Sequence, residues 1–164
     1  MNETIQIPVK ASLIITLGDR TIDVLGGAEV AIPTRPRFER SADGVVTGHD
    51  TGLMWSAETI GKEPVKWDQA NKLVAELWIG GFKDWRLPTI KELLSIVDYE
   101  RHDPAIDTEV FECVSGYYWT ASPWAPSPAG YAWIVRFLNG HSRGLNRNYY
   151  ARVRAVRSVA GAGQ

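Results

Sequence analysis

The side chains most able to do chemistry in this 164-residue chain are three histidines, one cysteine and a run of carboxylates. His49, His102 and His141 each sit among loop-forming residues, and no pair has the HExxH or HxH spacing that presents metal ligands from one element. Asp98, Glu100, Asp103 and Asp107 lie close enough together to raise a calcium site, but they lack the EF-hand pattern and read instead as the solvated end of a helix. Cys113, in an apolar setting, has no second thiol within this sequence, which excludes an internal disulfide and two-cysteine redox chemistry. Neither a glycine-rich phosphate loop nor a nucleophile elbow occurs. The expectation is a protein that is not an enzyme and uses no cofactor and no metal.

Binding chemistry is better represented. All 19 acidic residues lie at or before Glu112, so residues 1–112 carry 12 basic and 19 acidic groups (net −7), while residues 113–164 carry six arginines and no acid (net +6). The overall net charge of −1 argues against a nucleic-acid coat, and the −7 of the longer segment makes nucleic acid the weakest partner class. Within the basic segment, Arg143 and Arg147 are flanked by His141, Asn146, Asn148, Tyr149 and Tyr150 in what read as turns. Guanidinium forks suit sulfate, carboxylate or phosphate, and Asn and Tyr add adaptable hydrogen bonds. Trp124 sits in a proline-stiffened loop, Ser122–Gly130, as a rigid aromatic anchor. The predicted ligand-binding set is therefore Trp124, His141, Arg143, Asn146, Arg147, Asn148 and Tyr149. Arg152 and Arg154 alternate with Ala151, Val153 and Ala155 and read as an ordinary solvated strand face.

The elements that must position these residues are legible from pattern. Thr4 to Val9, Leu13 to Leu17 and Thr21 to Val24 read as strands joined by tight turns, a small β appendage over residues 1–36 closed by Gly26-Gly27 and Pro33–Pro36. The main domain, 37–158, opens with strands at Arg37 to Glu39 and Val45 to Thr47 around Asp43-Gly44, then a turn at Asp50–Gly52 into Leu53–Trp55. Helix one spans Trp67 to Trp78 and stops at Gly80-Gly81. Helix two follows a capping box, Thr89–Glu92, with Ile90, Leu93, Leu94 and Val97 on one face. Strands then run Tyr117 to Ala121, Tyr131 to Leu138 and Ala151 to Val156, with a hairpin at Asn139-Gly140 and a flexible tail at 159–164. Asp84–Pro88, Trp55, Trp67, Trp119 and Trp133 are assigned to structure: Trp85 and Leu87 fill core, and Arg86 pairs locally.

Blocks in order along the chain resemble a known family: Arg37-Phe38, Asp43–Thr47, Thr51–Trp55, the Trp67 helix, Gly80–Leu93, and later Tyr118–Ser122 with Arg152–Arg157. Together they are similar to the C-terminal domain family of bacterial collagen-like adhesins, the Lcl type. The resemblance implies an α+β, C-type-lectin-like fold, two helices packed on a twisted antiparallel sheet, related to the formylglycine-generating enzyme fold and to retroelement-diversified variable proteins. It also implies a recognition module for a protein or an anionic glycan, with sulfated glycosaminoglycans and trimers as the family's associations. Family members often carry paired cysteines in helix one and the last strand, where this sequence has Leu73–Leu77 and Val153–Val156. Without that staple, and with no export signal or apolar run of bilayer length, the expectation is a cytoplasmic or virion-associated homo-oligomer that spans no membrane. An alternative is a phage or mobile-element component assembling through residues 1–36.

Overall fold

The computed structural model describes residues 14–17, 20–23 and 36–159. The chain divides into two units, 1–36 and 37–164. In the first, β1 (Ile14–Leu17) and β2 (Arg20–Asp23) form an antiparallel pair with Ile15 opposite Ile22. The strand expected at Thr4 to Val9, the Gly26-Gly27 and Pro33–Arg35 segment and the tail after Val159 lie outside the described residues.

The second unit is α+β, with two helices and two sheets of mostly antiparallel strands. One sheet has the order β11-β5-β4-β3, built from β3 (Phe38–Arg40), β4 (Val45–Gly48), β5 (Leu53–Ser56) and β11 (Val156–Ser158). Gly44 and Gly52, at φ 79° and 64°, make the two turns that Asp43-Gly44 and Asp50–Gly52 predict. The other sheet has the order β6-β10-β7-β8-β9, from β6 (Ile60–Val65), β7 (Tyr117–Pro123), β8 (Tyr131–Arg136), β9 (His141–Asn146) and β10 (Ala151–Val153), with β10 and β7 parallel. None of the helices is long and apolar enough to cross a membrane, among the described residues.

Two apolar clusters occupy opposite faces of this second sheet. Tyr118 and Val135 join Trp55, Leu93 and Ile96 in one, while their strand neighbours Trp119 and Ile134 join Ala70, Val74, Trp85 and Leu87 in the other. Successive strand residues point to opposite faces, so α2 (Ile90–Ser95) packs on one side and α1 (Trp67–Ala75) on the other. The capping box is made in full: Thr89 Oγ1 accepts from the Glu92 N–H, and the Glu92 carboxylate accepts from the Thr89 N–H. Arg86 reaches the same carboxylate with both terminal nitrogens, at 2.8 and 2.6 Å.

Three elements differ from the sequence pattern. Helix α1 ends at Ala75 rather than Trp78, because the Leu77 N–H turns back to Val74 O and Ile79 bridges Phe82 around Gly80-Gly81, which demands extended backbone. Strands β6 and β9 had no hydrophobic alternation to announce them; each contains a glycine and, in β6, Pro64, which edge positions tolerate. The single strand expected at Ala151 to Val156 is two strands in different sheets, and the chain crosses between them at Arg154-Ala155.

Candidate functional site

The six arginines of the acid-free segment have three fates. Arg154 is fully buried: Nη1 donates to Ser56 O (2.6 Å) and Ala57 O (3.1 Å), Nη2 donates to Glu112 O (2.8 Å), and Phe111 and Tyr118 flank the guanidinium. This corrects the solvated-face assignment; the strand break at Arg154-Ala155 turns the side chain inward, where three carbonyls replace water. Arg157 is 7% exposed and forks onto Asp84 at 2.7 and 3.1 Å, holding that carboxyl below its ordinary value of 3.8. Arg147 lies 4.0 Å over the Trp67 ring, its N–H donating to Gly130 O and its carbonyl accepting from Trp67 N–H. It fastens the β9–β10 turn to the start of α1.

The remaining three, Arg136, Arg143 and Arg152, form no ion pair with any described carboxylate. Two of them, Arg136 and Arg143, gather around one ring. The guanidinium carbons of Arg136 and Arg143 stand 5.5 and 5.1 Å from the centre of Tyr117, close enough for cation–π attraction. Tyr117 and Arg152 in turn line a cleft of about 220 Å³ together with Pro64, Ser115, Gly116 and Tyr150. Register explains the convergence: Tyr117 is directly opposite Arg136, Arg136 is opposite His141, and Arg143 is opposite Ile134, so Tyr117, Arg136, His141 and Arg143 project from one face at one end of the sheet, whereas Arg152 is paired with Tyr118 and leaves from the other face. Gly116 leaves room for Arg152, whose Nε would lie 3.5 Å from a Cβ placed there.

The residues singled out in the sequence are divided by this geometry. His141 and Arg143 share the Tyr117 face. Trp124 and Asn146 are on the other face: Asn146 is opposite Tyr131, and the Trp124 ring, 5.5 Å from Tyr131, lies flat on Gly144, where a Cβ would come within 2.4 Å of it. Trp124 is thus packed back onto β9 rather than standing free in its loop. His141, Arg143 and Asn146 lie on the edge strand β9 rather than in turns, and Asn148 and Tyr149 are in the turn that follows. Asn146 Oδ1 accepts from the Asn148 N–H at 2.9 Å, so that amide shapes the turn. Tyr149 and Tyr150 are exposed.

Two further groups of titratable side chains are committed locally. Arg101 bridges Asp98 and Asp107, the outer members of the carboxylate run, and no group of three or more His, Cys, Asp or Glu among the described residues is placed to hold a metal. The Tyr118 hydroxyl donates to Val114 O and meets Thr59 Oγ1 at 2.6 Å, with Cys113 Sγ at 3.5 Å; burial pushes this phenol above its ordinary value.

Residues 44–157 match the family model of the Lcl C-terminal domain. The chain belongs to this family. No curated protein matches it. In this Lcl C-terminal domain, Val74 of α1 and Val153 of β10 are buried in the same apolar cluster, with Ala155. Packing therefore joins the two segments in this member. The residues that sequence reasoning missed are Tyr117, Arg136 and Pro64, while Arg152 was read as part of an ordinary solvated strand face. Arg136 sits in a largely apolar strand and Tyr117 at the start of a strand read without a site role, so only the β7–β8–β9 register brings them beside Arg143.

Proposed function

We propose that this Lcl C-terminal domain is a non-enzymatic recognition module of C-type-lectin-like fold that binds an anionic glycan at the Tyr117 cleft. The observation that carries the reading is the pair of guanidinium groups, Arg136 and Arg143, without carboxylate partners at one tyrosine, with a third, Arg152, lining the adjoining cleft. Arginine forks take sulfate or carboxylate oxygens, and the rings of Tyr117 and Tyr150 offer flat apolar faces to sugar rings. Family membership and the placement of α1 and α2 on opposite faces of the β7–β8 sheet support the fold assignment. A homo-oligomer would multiply a weak individual contact through avidity.

The test is retention on immobilised heparin as a function of salt. The Arg136→Ala/Arg143→Ala variant is expected to elute at lower salt, with affinity reduced about tenfold or more, while Arg147→Ala changes retention less. Unchanged retention of the double variant removes the site.

A further inference from the structure

The Tyr117 cleft lies at one end of the five-stranded sheet, and every strand of that sheet brings a cation or a tyrosine to the same end. In sheet order, Lys66 follows β6, Tyr150 precedes β10 and Arg152 lies within it, Tyr117 begins β7, Arg136 ends β8, and His141 and Arg143 open β9. Strand direction explains the alignment. Strand β10 runs parallel to β7, with Arg152 beside Tyr118, while β6 and β8 run antiparallel to them, with Val65 opposite Ala151 and Arg136 opposite Tyr117. Neighbouring strands lie about 4.8 Å apart, so the steps from β6 to β9 make a row about 19 Å long.

The chemistry of the row is continuous. Lys66 Nζ stands 5.9 Å from the centre of the Tyr150 ring, Tyr150 and Arg152 line the cleft with Tyr117, and Arg136 and Arg143 flank Tyr117. Because Arg152 leaves the sheet from the face opposite Tyr117, the row passes over the end of the sheet through the cleft rather than along one face. Lys66, Arg136, Arg143 and Arg152 form no ion pair with any described carboxylate, and the acids nearest Lys66 in the sequence, Glu63 and Asp68, form none either. A single sulfate or carboxylate would satisfy one end of this row and leave the other cations without a partner. A chain bearing repeated anionic groups satisfies them together, each further contact adding charge-assisted hydrogen bonds.

We propose that this row is one continuous binding track, and that its ligand is a linear polyanionic glycan several sugars long, laid across the strands with its anionic groups at Arg143 and Arg136, then Arg152, then Lys66. The inference rests on the anionic-glycan reading of the Tyr117 cleft and adds to it the length of the ligand and the roles of Lys66 and Arg152.

The experiment titrates the full chain with a heparin disaccharide and a heparin octasaccharide and follows backbone amide shifts. The octasaccharide is expected to bind more than about tenfold tighter than the disaccharide, beyond the small gain a longer chain has from offering more frames, and to shift the amides of Lys66, Gly116, Arg136 and His141 together. Lys66→Ala/Arg152→Ala should weaken the octasaccharide about tenfold and leave the disaccharide, seated at Arg136 and Arg143, unchanged, a split that a general loss of folding would not give. Lys66→Ala alone, a change at an exposed position, should give an intermediate loss. An octasaccharide that binds no tighter than the disaccharide, or one undiminished in both variants, overturns the track and leaves the Tyr117 site standing. No shift by either oligosaccharide at about 5 mM overturns the anionic-glycan reading itself and the track with it. An oligothymidylate of matching charge that binds as tightly as the octasaccharide overturns the assignment of the track to a glycan.

Discussion

Two groups of arginines drawn from the same acid-free stretch have opposite jobs. Arg154, at the crossing from β10 to β11, and Arg157, on β11, are buried, and their guanidinium groups bind Ser56 at the end of β5 and the loops at Asp84 and Glu112. Arg136 and Arg143, on β8 and β9, keep their charge at Tyr117, and Arg152, on β10, lines the adjoining cleft, with no carboxylate to satisfy any of the three. The difference shows that local net charge does not measure binding potential. A buried cation that has found three carbonyls is part of the framework, and only one left without a partner can serve a ligand.

The sharpest way to break this contrast is to compare Arg154→Met with Arg136→Ala/Arg143→Ala by urea denaturation. Removing the Arg154 guanidinium strands three carbonyl acceptors, and a loss of about 3 kcal/mol or more is expected. The surface pair should change stability by less than about 0.5 kcal/mol. Similar losses from both would erase the distinction.

A second test concerns how the β9 edge is held. Gly144→Ala puts a methyl group into the Trp124 ring, so the ring must leave the strand, and a loss of about 1–3 kcal/mol is expected from the forced repacking. The Trp124 indole resonance should move with it. A full-stability variant with an unmoved indole would mean that the ring is not seated there.

The smallest expected effect is at the helix α2 cap. The Arg86 guanidinium, followed by the Thr89 backbone N–H, holds the Glu92 carboxyl below its ordinary value of 4.5, against the opposing effect of burial. Because the folded value is the lower one, the stabilisation is fully present above pH 4.5 and is lost as pH falls through the depressed folded value. Glu92→Gln should therefore cost about 1 kcal/mol at neutral pH through the cap and flatten the acid limb of the stability curve. An unchanged acid limb would place the acid sensitivity elsewhere.

How much was readable from residues differs between these regions for physical reasons. Helix α2 carries its own instructions, since a cap and a periodic apolar stripe act within a few residues of one another, and the Asp43-Gly44, Gly52 and Gly140 turns need positive φ that glycine supplies locally. Trp85 and Leu87 announce burial by their size and apolarity, and both are core. Strand β9 carries no such signal. Its sequence, His141–Asn146, is polar, and it is a strand because β8 offers it a ladder. Arg143 was therefore identified as a candidate for its chemistry but assigned to a turn, and its neighbours Tyr117 and Arg136 were not seen with it.

The sequence by itself determined the family, the α+β class, the capped second helix, the main turns and the location of uncompensated positive charge in the last third of the chain. Each of these depends on residue type or on contacts a few positions apart. Tertiary structure alone decided which arginines are buried, that Trp124 and Asn146 face away from His141 and Arg143, and that Tyr117 is the centre of the basic cleft. Those outcomes depend on strand register and on the crossing between sheets, where a shift of one residue moves a side chain to the opposite face.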